Sequence, residues 1–164
     1  MGVFQMIIAL HIVAGIVCLI TGLLAIMMRK KRGPHTIYGE IYHGSYVVIF
    51  LTSIVTAIWH WEQSAYLFFI ALFSYGLALY GYLARKRRWT EWLGKHINGM
   101  LGSYIGVITA VLVVNQTKMP VLNQWPSLLV WLLPTIIGSP LIALVQKNAG
   151  KEKYQKSLCS TCMK

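Results

Sequence analysis

The segment VFQMIIALHIVAGIVCLITGLLAIMMRKKRGP, residues 3–34, decides the fold class. Its first 26 residues contain no Asp, Glu, Lys or Arg, and four basic residues, 29–32, follow them directly. A helix that crosses a bilayer needs about 20 mostly apolar residues, so this run is long enough. Gly33 and Pro34 end the basic segment, and proline suits the first turn of a helix. The segment therefore predicts a membrane-spanning helix, a basic loop and the start of a second helix.

The same alternation recurs along the whole chain of 164 residues. Hydrophobic residues make up 57% of it and charged residues 12%, whereas charged residues make up about a quarter of a soluble domain. The apolar surplus therefore faces lipid. Apolar runs predict five spans, at residues 3–28, 38–59, 65–84, 96–115 and 127–145. The sequence predicts an all-α integral membrane bundle with five transmembrane helices.

The distribution of basic residues predicts the orientation of these spans. Every Lys and Arg except Lys118 lies in one of three segments, 29–32, 85–95 and 147–164. Loops rich in Lys and Arg stay in the cytoplasm, which puts the N-terminus outside and the C-terminus inside. Tryptophans agree, because indole rings favour the headgroup level. Trp89 and Trp92 then mark the inner belt, and the outer belt consists of Trp59, Trp61 and Trp125.

Two regions follow from this pattern, a transmembrane bundle over residues 1–146 and a basic cytoplasmic tail over 147–164. The tail is polar and Lys-rich, so we expect it to be flexible. We expect a multi-pass protein of the plasma membrane whose basic segments meet anionic headgroups on the cytoplasmic side. The pattern is also compatible with binding to another membrane protein or to a second copy of the same chain. Nucleic acid is excluded as a partner because no recognition fold accompanies the charge.

Histidines are the candidate functional residues, because ionisable groups at membrane depth are costly and usually functional. His35 and His96 lie near the inner face at matching depth, which predicts a pair of axial ligands for haem b. His11, in the outer half of the first span, and His43, two turns deeper than His35, are further haem ligand candidates. Small residues beside His11 and His96 either make room for the macrocycle or serve close helix packing.

A metal site without haem is an alternative use of the same region. Glu40 and His43 have the spacing that puts a carboxylate and an imidazole on one helical face. Together with His35 and His96 they would bind zinc or iron, as in a metal-dependent intramembrane hydrolase. Glu40 has another interpretation, in which it pairs with a nearby Lys or Arg at the interface. The sequence assigns no catalytic residue and leaves open whether the protein is an enzyme.

A weak internal repeat is also present. The basic segment 29–32 precedes His35 and a Gly-Ser-Tyr at 44–46, and the basic segment 85–88 precedes His96 and a Gly-Ser-Tyr at 102–104. Both hairpins would run in the same direction, which predicts parallel repeats about an axis along the membrane normal. Common reuse of small residues in membrane helices would produce a similar echo.

Three short motifs carry a resemblance: His11 in the first span, His35-x-x-x-Gly39, and Lys95-His96-x-x-x-Met100. Over roughly the first 113 residues the chain resembles a family of bacterial multi-pass membrane proteins of unknown function. That family is similar to cytochrome b561-like and ferric-reductase-like helical bundles. The resemblance implies a small bundle in which paired histidines on facing helices hold haem for membrane electron transfer. A small transporter or an accessory subunit of a larger membrane complex is the alternative without a cofactor.

Overall fold

Five long α-helices make up the protein in a computed structural model. The structure describes the backbone of residues 2–28 and 33–162, and the side chains of these residues apart from Gln63 and 152–162. The helices are α1 (Val3–Met27), α2 (Pro34–Trp59), α3 (Trp61–Lys86), α4 (Trp92–Asn115) and α5 (Ser127–Cys162). Two short 3-10 turns, Gln116–Lys118 and Leu122–Gln124, join α4 to α5, and no strand occurs in the described ranges. The predicted all-α fold with five spans is confirmed.

Each of the five helices is long and apolar enough to cross a membrane. Large hydrophobic side chains are exposed along them, for example Ile12 at 54%, Phe73 at 70% and Leu128 at 70%. Such exposure is unfavourable in water and favourable against lipid tails. The helices are therefore compatible with a multi-pass membrane protein. The direction of insertion and the identity of the membrane stay predictions.

Helix boundaries extend beyond the predicted spans at the basic loops. α2 begins at Pro34 rather than at residue 38, because proline needs no hydrogen-bond partner for its nitrogen at the first helical position. Gly33 precedes it with a φ of 134°, a conformation that glycine adopts without the clash of a Cβ atom. α4 begins at Trp92 rather than at residue 96. Both histidines of the predicted pair consequently lie inside helices.

Helices α1 to α4 form a four-helix bundle. α1 packs along α2 and α3 packs along α4, α2 also contacts α3, and the contact between α1 and α4 is sparse. The buried core is small and aromatic, with Cys18, Tyr42 and Tyr46 against Ala78 and Val107. α5 packs against α4 at the periphery of the bundle.

Glycines set the distance between α3 and α4. A Cβ atom on Gly99 would lie 2.5 Å from the Cα of Gly81, and a Cβ on Gly106 would lie 2.5 Å from the Oγ of Ser74. The two backbones can approach this closely only because these side chains are absent. The small residues that follow His96 along α4 therefore serve helix packing. Close packing was one of the two uses predicted for them from the sequence.

The last helix continues through Pro134 and Pro140 and past the predicted membrane boundary to Cys162. At 1.5 Å per residue its 36 residues span about 54 Å, whereas the hydrocarbon core is about 30 Å thick. Residues 147–162 are thus a helical extension of α5. The predicted flexibility of the 147–164 tail stays a prediction, and the first basic segment, 29–32, lies outside the described residues.

We call the end of the bundle where α1 and α3 finish and α2 and α4 start the basic end. It carries the 85–95 cluster and the first lysines of the tail, Lys147 and Lys151.

Candidate functional site

His35 and His96 meet at the basic end of the bundle. His35 lies in the first turn of α2 and His96 in the second turn of α4. Their ring centroids are 6.5 Å apart, and the ring planes are nearly perpendicular at 87°. Both residues are half-buried. The structure therefore brings together the two histidines that the sequence matches in depth.

Backbone carbonyls orient both rings in the same way. The Nδ1 of His35 lies 2.8 Å from the carbonyl oxygen of Ala25 on α1, and the Nδ1 of His96 lies 2.9 Å from that of Gly81 on α3. A carbonyl oxygen only accepts, so each Nδ1 carries the proton and donates it. Each histidine thus ties its own helix to the helix that precedes it. Metal-ligating histidines commonly donate their second ring N–H to a carbonyl in this way, with Nε2 as the ligand atom.

A layer of hydroxyl groups lies next to this pair, toward the middle of the bundle. The hydroxyl of Ser103 donates to the carbonyl of Met100 over 2.8 Å, so it accepts the hydroxyl of Tyr42, also at 2.8 Å. Tyr46 donates to the carbonyl of Ser103 over 3.2 Å, and Tyr104 donates to the carbonyl of Leu19 over 3.1 Å. These bonds connect α4 to both α2 and α1. The hydroxyl layer therefore holds the helices that carry the two histidines in a fixed register.

The same pairing relates the two halves of the bundle. Subtracting 35 from 96 and 42 from 103 gives the same shift, 61 positions. His35 faces His96, and Tyr42 bonds Ser103, so positions related by this shift meet across the bundle. Such meetings are expected along a two-fold axis that runs along the membrane normal. A repeat aligned through the histidines would differ by three residues from one aligned through Gly-Ser-Tyr. The repeat stays a prediction, because α2 contacts α3 much more closely than α1 contacts α4.

His43 and Glu40 belong to a separate network between α2 and α3. The ring of His43 stacks on Tyr82 with centroids 4.0 Å apart and an angle of 1°. Tyr82 donates its hydroxyl to Glu40 Oε2 over 2.9 Å and accepts a hydrogen bond from Lys86 at 2.8 Å. The Nδ1 of His43 is buried without a hydrogen-bond partner. Glu40 is thereby linked to Lys86 through Tyr82. This arrangement is similar to the pairing of Glu40 with a nearby Lys or Arg that one interpretation of the sequence predicts.

The metal alternative requires His35, His43, His96 and Glu40 at one point. Of these four, the structure places His35 and His96 against each other, while His43 and Glu40 contact Tyr82. Within the described part of the chain, no group of three or more His, Cys, Asp or Glu side chains lies close enough to hold a metal ion.

His11 lies apart from the other predicted ligands, toward the opposite end of the bundle. Its Nδ1 is 2.8 Å from the hydroxyl of Thr52 on α2. That hydroxyl donates its proton to the carbonyls of Val48 and Ile49, so it accepts the proton of His11. His11 therefore forms an interhelical hydrogen bond of the kind that membrane helices use for packing.

Comparisons of the chain with protein-family profiles, with characterised proteins and with solved structures found no match.

Proposed function

We propose that this protein binds haem b through His35 and His96 and takes part in membrane electron transfer. The observation that carries the proposal is the facing pair of rings, each held by a carbonyl of the preceding helix. The histidine motifs, through which the chain resembles a family of multi-pass membrane proteins similar to cytochrome b561-like bundles, led to the same expectation. Under the proposed orientation the pair lies near the cytoplasmic face of the plasma membrane.

His35 and His96 would be the two residues that hold the haem, each through its Nε2. A metal–nitrogen bond is about 2 Å long, so two imidazoles that share one metal would have ring centroids roughly 6 Å apart. The observed separation is 6.5 Å. The protein has to supply two ligands in this case, because the macrocycle supplies the other four nitrogens.

The number of available ligands favours haem over the zinc or iron alternative. A structural zinc site takes four protein ligands, and a catalytic one takes three and a water. The described residues contain no such group. Among the described residues, His35 and His96 alone are too few for a metal site of this kind and sufficient for haem.

The protein's own residues have three tasks in this proposal. The carbonyls of Ala25 and Gly81 fix the ring orientation and make Nε2 the ligand atom of each histidine. The Tyr42–Ser103 hydrogen bond holds α2 and α4 in register, and the lipid-facing helices exclude water. Bound haem would supply a one-electron couple whose potential depends on these ligands and on burial.

Room for the macrocycle would come from one side of the bundle. The small residues of α4 pack against α3, since Gly99 contacts Gly81 and Gly106 contacts Ser74. They therefore leave no space for haem on that side. The contact between α1 and α4 is less extensive, and the ring of Tyr104 fills it against Gly22. Haem on this side would therefore require Tyr104 to move away from Gly22.

An absorbance spectrum of the purified protein tests the proposal. The chain is expressed with haem available, purified in mild detergent and analysed for metals in parallel. We expect a Soret band that shifts on addition of dithionite. The matched variants are on one helix: His35→Ala should lose the band, and His43→Ala should keep it.

A colourless protein without metal would overturn the proposal and leave the transporter or the accessory subunit. A colourless protein with one equivalent of zinc would favour the hydrolase. A Soret band that survives in His35→Ala would contradict the ligand assignment.

A further inference from the structure

Arg85 differs from the three basic residues that follow it. It lies in the last turn of α3 and is half-buried, whereas Lys86, Arg87 and Arg88 are exposed. Its Nη2 donates to the hydroxyl of Thr36 on α2 over 3.0 Å. Exposed basic residues are sufficient to keep a loop in the cytoplasm. The orientation of Arg85 toward the bundle therefore requires a separate explanation.

Arg85 is connected to both histidines of the candidate site. Thr36 directly follows His35 in the first turn of α2. Gly81, whose carbonyl accepts the hydrogen bond of His96, lies one turn before Arg85 on α3. One turn of helix corresponds to about 6 Å, so Arg85 lies nearer the basic end than the residue that holds His96.

The contact with Thr36 orients the guanidinium group without neutralising it. A hydroxyl carries no charge, and this one accepts from a single nitrogen, Nη2. The guanidinium has several further N–H donors in a planar fork. Such a fork matches the two oxygens of a carboxylate better than the point charge of a lysine does. Arg85 is therefore suited to a ligand that carries a carboxylate.

Haem b carries such groups, the propionates, along one edge of the macrocycle. Ionised groups are costly in the hydrocarbon region of a membrane. The propionate edge of a haem held by His35 and His96 would therefore point out of the membrane, toward the basic end. Arg85 lies at that end, on the helix next to the one that carries His35.

We propose that Arg85 binds a propionate of the haem and that Thr36 holds its guanidinium in position. This inference rests on the proposed ligation by His35 and His96, and it adds a basis for specificity. The charge of Arg85 favours haem with free carboxylates over a haem whose carboxylates are esterified.

Titration of haem b and of its dimethyl ester into haem-free protein tests the proposal. Absorbance would measure both affinities in mild detergent. We expect Arg85→Gln to lower the affinity for haem b by about tenfold, the loss of a hydrogen bond to a charged group. The affinity for the ester should not change. Thr36→Val retains the charge and should cause a smaller loss, also for haem b alone.

Two substitutions at the same end of the bundle serve as matched controls. Arg87→Gln makes the same change at an exposed position, the C-cap of α3. Lys95→Gln removes a charge directly beside His96, but Lys95 lines a cavity together with Gln146 of α5. Both variants should keep the ratio of the two affinities that the unmodified chain has.

The outcomes separate this inference from the haem proposal. If both porphyrins bind and Arg85→Gln leaves the ratio of their affinities unchanged, the assignment of Arg85 is wrong and the haem proposal stands. An arginine that pairs with a lipid phosphate would give this result. If the unmodified chain binds neither porphyrin, the haem proposal fails and the role of Arg85 fails with it.

Discussion

The two ends of the bundle place histidines in different environments, and the comparison separates a candidate cofactor site from a packing contact. At the basic end, His35 and His96 face each other at 6.5 Å, and each is oriented by a carbonyl of another helix. Toward the other end, His11 donates to the hydroxyl of Thr52. A single interhelical hydrogen bond accounts fully for His11. It does not account for two imidazoles placed against each other on diagonal helices.

The largest expected difference between the two environments concerns haem affinity. Under the haem proposal His96→Ala removes a ligand of the iron, whereas His11→Ala removes a packing contact. We expect haem affinity, measured by titration into haem-free protein, to fall by at least about 100-fold in His96→Ala, since even the loss of an outer-shell partner costs up to that factor. It should be unchanged in His11→Ala. Equal losses in both variants would place the haem elsewhere.

The next effect tests whether the close approach of α3 and α4 supports the pair. A Cβ on Gly99 would meet the backbone of Gly81, whose carbonyl holds His96. Gly99→Ala should lower the free energy of unfolding by about 1–3 kcal/mol, measured by denaturation in mixed micelles, because backbone atoms have to shift. It should also weaken haem binding.

Gly15→Ala is the matched control for this substitution, because a Cβ on Gly15 meets no atom within 4 Å. In a helix, alanine at such a position is stabilising by up to about 1 kcal/mol. If Gly99→Ala were as harmless as Gly15→Ala, the packing role of the α4 glycines would be wrong.

A smaller effect concerns the hydroxyl layer. Ser103→Ala leaves the buried hydroxyl of Tyr42 without its acceptor. We expect a loss of about 1 kcal/mol of unfolding free energy, typical of interhelical hydrogen bonds in membranes, and a small change in the haem spectrum. Ser139→Ala is the control, since the hydroxyl of Ser139 donates to the carbonyl of Thr135 in its own helix. A spectrum identical to that of the unmodified chain would separate the hydroxyl layer from the site.

The smallest effect is expected at the packing histidine. Thr52→Val removes the acceptor of His11 and should cost about 0.6 kcal/mol, the average for such bonds in a membrane protein. Thermal unfolding would measure this loss, and the haem spectrum should stay the same. A spectral change in Thr52→Val would mean that the two environments are coupled.

Apolar runs and basic loops were sufficient to predict the five helices, because the thickness of the bilayer fixes the length of a span. The similar depth of His35 and His96 could also be predicted, because each histidine follows a basic loop closely along the chain. The carbonyl partners, Ala25 and Gly81, could not be predicted, since backbone acceptors have no sequence signature. The stacking of His43 on Tyr82 depends on how α2 and α3 rotate against each other, which periodicity does not determine.

Electron paramagnetic resonance of the oxidised, haem-loaded protein tests ligation by two histidines most directly. We predict a low-spin ferric signal from six-coordinate haem, which His35→Ala and His96→Ala each convert to a high-spin signal or abolish. A high-spin signal in the unmodified chain, or a low-spin signal that survives in both variants, would contradict the account.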